Sequence, residues 1–325
     1  MMRLPAFAYR APTTPAEVAR VLASDPAAMV VAGGTDLYPN MKRRHQQPKT
    51  VVALRRVQAL RGIQWHADGS LTLGAAETLR AVERDPGVEA RLPALAHAVR
   101  TISTPLLRNM GTIGGNVCLD TRCNYYNQTW EWRRAINFCM KCDGDTCWVA
   151  PSSPRCWAVN SSDSVPVLVA LGATARLVGP QGERTLPVAA LFRNDGIAYL
   201  TKARDELLVS LTIPAQGSAR STYRKVRRRG AFDFPVASAA VRVRMDGERV
   251  AAADIVLNAV TSAPVVATEA QQALLGQRLD EATIAAAAEK AARLAKPLDN
   301  TDHLAAWRKK VVQVEVRRAL ESLRA

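Results

Sequence analysis

The sequence predicts an α+β fold in two parts, and three observations carry that prediction. At 325 residues the chain is long for one compact core. Strand-like runs, glycine turns and helical segments mix through its first two thirds. Strands followed by helices then fill the last third, the pattern of a separate α+β lobe. Apolar residues make up 48% of the chain, enough for real cores, and charged residues 22%, with no stretch that reads as disordered.

Taken in order, Met29–Ala32 is a short apolar run ending in Gly33-Gly34, a strand entering a tight turn. Thr50–Leu54 and Gly69–Leu73 are further strands. Thr78 is placed to cap a helix over Thr78–Arg84, and Leu92–Val99 has helical spacing. Gly111–Asn116 is a second glycine loop. Asn116–Trp157 has no clean period and is rich in Cys, Trp, Asn and Asp, so it reads as an insertion held by something other than a hydrophobic core. Val165–Leu177 is a helix then a strand, and Leu207–Ile213 alternates as a strand up to Pro214. Small and polar Ala215–Arg220 marks a boundary, giving domains 1–217 and 218–325. Ser238–Met245 and Ile255–Val260 are strands beyond it. Ala263–Leu274, Asp280–Leu294 and Asp302–Arg324 are helices.

Lys and Arg outnumber Asp and Glu by 44 to 29, a net charge of +15. Such a balance favours acidic partners. The charge is spread along the chain apart from Arg224–Arg229, and no helix-turn-helix, zinc-finger or RNP signature accompanies it. A basic soluble surface is therefore the reading, with neither nucleic acid nor membrane as a partner. No apolar run reaches the ~18–20 residues that span a bilayer, and Met1–Pro15 has no hydrophobic signal core, so a cytoplasmic protein is expected.

Two glycine loops carry candidate ligand chemistry: Ala32-Gly33-Gly34-Thr35-Asp36-Leu37 and Gly111-Thr112-Ile113-Gly114-Gly115-Asn116. Paired glycines let a backbone approach a ligand closely, and successive N–H groups can cradle a phosphate without a lysine. Thr35, Thr112 and Asn116 could add side-chain donors. Either pair alone is more often an ordinary turn. Neither is a GxGxxG or Walker A sequence, so the usual nucleotide folds gain no support.

All six cysteines lie between Cys118 and Cys156, together with Trp130, Trp132, Trp148 and Trp157. Disulfides suit small secreted domains, which this chain does not resemble. Structural zinc wants two close pairs, whereas there is one Cys-x-x-Cys, at Cys139–Cys142, and the insertion has no histidine. An iron–sulfur cluster needs four thiolates at tolerant spacing, and its bonds replace hydrophobic burial. Spacing does not decide which four of the six would bind.

These motifs together resemble the FAD-binding subunits of the xanthine oxidase and carbon monoxide dehydrogenase family. Ser161-Ser162-Asp163 and Tyr223–Arg229 followed by Asp233 continue the likeness in order, over nearly the whole chain. The resemblance implies a FAD-binding domain of the vanillyl-alcohol-oxidase/PCMH type, with subdomains at about 1–55 and 56–217. It implies a C-terminal α+β lobe of the CO dehydrogenase flavoprotein type. It assigns Val31, Ala32, Gly33, Gly34, Thr35 and Asp36, with Gly111, Thr112, Gly114, Gly115 and Asn116, to the pyrophosphate and ribityl chain. Asp163 would accept from ribose or adenine, although it could also be a helix N-cap. Lys225, Ile102, Leu207, Leu208 and Cys118 would lie at the flavin; for Lys225 a solvated charge is the plain alternative.

Most members run directly from the second glycine loop to the Asp163 region. One branch, the 4-hydroxybenzoyl-CoA reductases, carries an extra loop with a [4Fe–4S] cluster and ligands spaced Cys-x15-Cys-x7-Cys-x8-Cys. Cys123, Cys139, Cys147 and Cys156 match that spacing within an insertion over 117–158. On this resemblance Cys142 is a bystander, and the insertion's tyrosines and tryptophans are expected to shield the cluster from water.

The resemblance further implies an electron relay with no catalytic residue of its own. Its partners would be a large molybdopterin subunit and a small subunit with two [2Fe–2S] clusters, in a dimer of heterotrimers. Electrons would run from ferredoxin through [4Fe–4S] and FAD towards molybdenum, for reductive dehydroxylation to benzoyl-CoA. The competing expectations are an oxidising molybdenum hydroxylase, with the flow reversed, and a zinc-stabilised nucleic-acid-binding protein.

Overall fold

The computed structural model describes residues 3–324, and it organises them around three sheets. The first is parallel and small: β1 (Ala8–Arg10), β2 (Ala28–Val31) and β3 (Thr50–Ala53), in the order β1-β3-β2. Val31, Val51 and Ala53 pack there against Leu37 and Met41 of the helix Leu37–Lys42. The helix Pro15–Ser24 starts at a capping box, in which Thr14 accepts from Glu17 N and Glu17 reaches back to the Thr14 N–H.

The second sheet contains β4 (Ile63–Trp65), β5 (Leu71–Gly74), β6 (Thr174–Gly179), β7 (Gly182–Pro187) and β8 (Leu207–Ile213). It is antiparallel in the order β4-β5-β8-β6-β7. It shares one core with the helices Leu79–Arg84, Pro93–Thr101 and Ser164–Ala170. As the sequence predicts, Thr78 caps Leu79–Arg84, its Oγ1 accepting from Ala81 N at 3.1 Å.

The third sheet, β9 (Arg220–Val226), β10 (Ala237–Asp246), β11 (Arg249–Asn258) and β12 (Val265–Val266), is also antiparallel. The helices Thr268–Leu274, Glu281–Arg293 and Ala305–Glu321 cover one face with a core of their own. Tyr223, Ala240 and Val256 instead belong to the core of the second sheet, so the lobe is seated on the rest of the chain.

Two expectations are corrected. Gly111–Asn116, read as a loop, is helical from Ile113 on, because Thr112 caps Ile113–Val117 through a 3.1 Å bond from Gly115 N. A good N-cap offsets the poor helix propensity of two glycines over a single turn. The helix expected over Ala263–Leu274 starts only at Thr268, because Val265 and Val266 pair with β11 as a short edge strand.

The insertion leaves the domain and returns at one point. Arg122 and Val159 exchange backbone hydrogen bonds of 2.9 and 2.8 Å and close its base. Inside it, Trp130–Ala135 forms one short helix. Asn137, Phe138 and Asp143 adopt left-handed backbone, which ordinary residues hold only where surrounding contacts impose it. Among the described residues no helix is long and apolar enough to cross a membrane.

Candidate functional site: paired glycine loops beside a cysteine cage

The two glycine loops touch each other. A Cβ on Gly33 would lie 1.7 Å from the Met110 carbonyl oxygen, so a backbone without a side chain is required where the loops cross. Gly34 has a φ of +72°, and a Cβ there would also strike the Tyr38 ring at 2.5 Å. Gly114 abuts Ala75 O, at 2.6 Å from its would-be Cβ. Gly115 differs. It is exposed, and a Cβ there would meet only its own cap, Thr112 Oγ1, at 3.0 Å. Packing thus explains Gly33, Gly34 and Gly114, whereas Gly115 faces open space and is where a ligand's backbone approach is free.

Of the side-chain donors anticipated beside these loops, Thr112 Oγ1 serves as the helix cap. Asn116 Oδ1 accepts from Ser162 Oγ at 2.8 Å, Ser164 Oγ at 2.7 Å and Ser164 N at 3.2 Å. Asn116 therefore clamps the second loop to the segment that carries Asp163. Gly114 N donates to Ala75 O, and Ala75 N to Val209 O, so the loop also stands on β8, which begins with buried Leu207 and Leu208. Ile102 is buried at the end of the helix Pro93–Thr101.

Asp163 and Lys225, 62 residues apart, form one buried pair. Asp163 Oδ1 accepts from Tyr223 OH at 2.6 Å and Oδ2 from Lys225 Nζ at 2.8 Å, while Lys225 also donates to Thr101 O at 3.0 Å. Asp163 sits at the N-cap position of Ser164–Ala170 but makes no side-chain cap bond. Lys225 is not a solvated charge: its side chain is 2% exposed and that of Asp163 3%. Burial pushes the Asp163 carboxyl up and the Lys225 ammonium down, and each partner pulls the other back towards its charged form. Lys225→Met should destabilise the protein by ~3–5 kcal/mol, because it strands a buried carboxylate. The double variant with Asp163→Asn should recover part of that loss in denaturant titrations. Additive losses would show that the pair is not coupled.

A basic recess of about 580 Å³ adjoins this pair, lined by His97, Arg224, Lys225 and Arg227–Arg229 among others. It contains no glycine-loop residue. Arg224 is already paired with Glu315 and Arg229 with Asp233.

In the insertion, Cys123, Cys139, Cys147 and Cys156 are buried and line one small cavity with Tyr125, Tyr126 and Trp148. Cys118 and Cys142 are half-buried and do not line it. All six are free thiols. Burial pushes Cys123 up to about 12 and Cys156 up to about 11, with neighbouring thiols adding to the shift. Among the described residues, no group of three or more His, Cys, Asp or Glu side chains is placed to hold a metal ion.

Gly196, invisible as a site residue in the sequence, closes the cage. A Cβ there would sit 2.6 Å from Cys156 Sγ. The expected aromatic shield is only partial: Tyr126 is 3% exposed, but Trp130 and Trp132 are 38% and 40% exposed. They lie on the short helix whose buried residue is Arg133; Trp132 approaches the cage only through Tyr125, at 6.2 Å between ring centroids, and neither tryptophan lines the cavity. Cage and glycine loops are linked directly, because Arg122, next to Cys123, forms an ion pair with Asp36 of the first loop. Tyr199 OH donates to Cys118 O at 3.3 Å, between the two.

Against known proteins, residues 5–216 match the family model described as the FAD binding domain in molybdopterin dehydrogenase. Residues 221–323 match the CO dehydrogenase flavoprotein C-terminal domain. The carbon monoxide dehydrogenase medium chain of Hydrogenophaga pseudoflava is 28% identical over 323 residues, covering 98% of this chain and 97% of the relative. The xanthine dehydrogenase FAD-binding subunit of Escherichia coli O157:H7 is 25% identical over 283 residues, 86% of this chain and 83% of the relative. A solved structure of the Hydrogenophaga pseudoflava carbon monoxide dehydrogenase superposes with a TM-score of 0.81 at 27% identity, covering 98% of this chain and 97% of that one.

Proposed function

Because this chain belongs to the FAD-binding medium subunits of the xanthine oxidase and carbon monoxide dehydrogenase family, we propose that it is the electron-transferring subunit of a molybdenum oxidoreductase and carries a second redox centre, a [4Fe–4S] cluster. FAD supplies a carrier that exchanges electrons singly or in pairs, and the cluster one that exchanges them singly. The chain's own residues bind and position. Gly115 leaves the approach to the second loop open, and the Gly33–Met110 crossing fixes the two loops together. Asp163 and Lys225 hold the C-terminal lobe against Thr101, beside Ile102. Cys123, Cys139, Cys147 and Cys156 would hold the iron. The observation that carries the cluster is their burial around one cavity, with the other two cysteines outside it.

The relatives' names speak of dehydrogenases, so oxidation of a substrate on a larger partner chain is the direction that the comparisons support better. Their description as medium chain implies larger and smaller companions. The reverse direction, ferredoxin-driven reduction of 4-hydroxybenzoyl-CoA, has the cysteine cage in its favour. The +15 charge, which suits an acidic donor, supports it too.

An absorption spectrum with iron and flavin analysis of anaerobically purified protein tests the cofactors. A yellow-brown protein with FAD and four irons is expected; zinc without iron would sink the cluster. Excision of the insertion between Arg122 and Val159, which are already bonded to each other, tests the direction. A reductase should then lose ferredoxin-driven turnover while the flavin still exchanges electrons with a dye. Unchanged ferredoxin-driven turnover would remove the cluster as the point of electron entry, and a parent protein without ferredoxin-driven turnover would remove the reductase reading.

A further inference from the structure

Lys141 stands inside the Cys139-Met140-Lys141-Cys142 run with its side chain only 7% exposed. Its ammonium uses all three protons. It donates to Asp120 Oδ1 at 2.8 Å, Thr121 Oγ1 at 2.9 Å and Gly196 O at 2.6 Å, and Gly196 is the residue that abuts Cys156 Sγ. The Tyr126 ring lies 5.0 Å from the same nitrogen. A second cation, Arg133, is fully buried and meets no carboxylate among the described residues. It donates to Cys142 Sγ at 2.7 Å and to Arg44 O at 3.4 Å, and its Nε has no partner.

Buried charge without a counter-charge is costly. Two buried cations flank the cage; Asp120, itself shared with Tyr126 OH, answers Lys141 alone, and Asp143 lies at Cys142, beside the solvent. With neutral thiols this side of the insertion is left positive. A cubane on four thiolates is negative and would restore the balance.

We propose that Lys141 is a positioning residue that serves as counter-charge to the iron–sulfur cluster and sets its reduction potential. The inference rests on the [4Fe–4S] reading above. A nearby cation favours the reduced, more negative cluster, so Lys141 raises the midpoint and Asp120 lowers it.

The test is a redox titration of the reduced cluster by electron paramagnetic resonance in the anaerobically purified complex, with an iron count for every variant. Lys141→Met should move the midpoint negative by at least tenfold in the one-electron equilibrium, about 59 mV. Asp120→Asn should move it positive, and Lys141→Arg should stay near the parent. Both neutral variants break the same contact, so a merely structural role predicts shifts of one sign, or none. Either result, with four irons retained, overturns the proposal. If Lys141→Met loses its iron, the positive shift in Asp120→Asn with a parent-like Lys141→Arg still decides for the charge, and its absence against it. A parent protein without iron would instead remove the cluster reading itself.

Discussion

Cys147→Ser is expected to lose the iron–sulfur cluster and to keep its flavin, whereas Cys142→Ser keeps both. The reason lies in where the two thiols sit. Cys147 is buried on the wall of the four-cysteine cavity, while Cys142 is half-buried outside it, accepting from Arg133 at 2.7 Å. A serine hydroxyl is a poor ligand for iron, so losing one wall of the cage should release most of the metal and loosen a segment with little aliphatic packing of its own. In Cys142→Ser the hydroxyl can still accept from Arg133, and the cage is untouched. Iron and acid-labile sulfide counts on both variants, with FAD measured beside them, check this. Iron lost from Cys142→Ser and kept by Cys147→Ser would transfer the site to the Cys139–Cys142 pair. Cys118→Ser should leave the iron unchanged.

Gly115→Val is expected to yield flavin-poor protein that remains folded, and Gly33→Val to yield flavin-free protein that is also destabilised. A valine at Gly115 meets little beyond the Thr112 hydroxyl and projects into the open space on which the FAD reading depends. A valine at Gly33 must push Met110 O away from a 1.7 Å contact. That opens the crossing of the two loops and should cost ~3 kcal/mol or more, the upper end of overpacking penalties. Gly34→Val combines a clash at Tyr38 with a disfavoured φ of +72° and should resemble Gly33→Val. Flavin content and thermal unfolding of the flavin-free proteins separate the two effects. Full FAD occupancy in Gly115→Val would exclude the second loop from the binding surface.

Part of the fold is written in local sequence. The strand Leu207–Ile213 was legible to its last residue because alternation ends at a proline. The Thr78 cap and the helices Glu281–Arg293 and Ala305–Glu321 were legible because capping and periodicity are local. The helix starts at Pro15, Pro86 and Pro105 carried a signal too, a proline in the first turn; the runs after Pro86 and Pro105 are too short for a period to show, whereas ten-residue Pro15–Ser24, with its Thr14 capping box, was open to a local reading.

The sequence by itself determined that this chain has two glycine loops, a cysteine-rich insertion and a two-part α+β architecture, because each is written in neighbouring residues. It could not say that Gly33 answers to Met110 rather than to a ligand, nor that Gly115 does not. Nor could it join Asp163 to Lys225 across 62 residues, or place Gly196 on Cys156 and Lys141 on Asp120. Only the tertiary structure decided those, because a side chain's partner, its burial and hence its charge state depend on chain segments that have no local trace of one another.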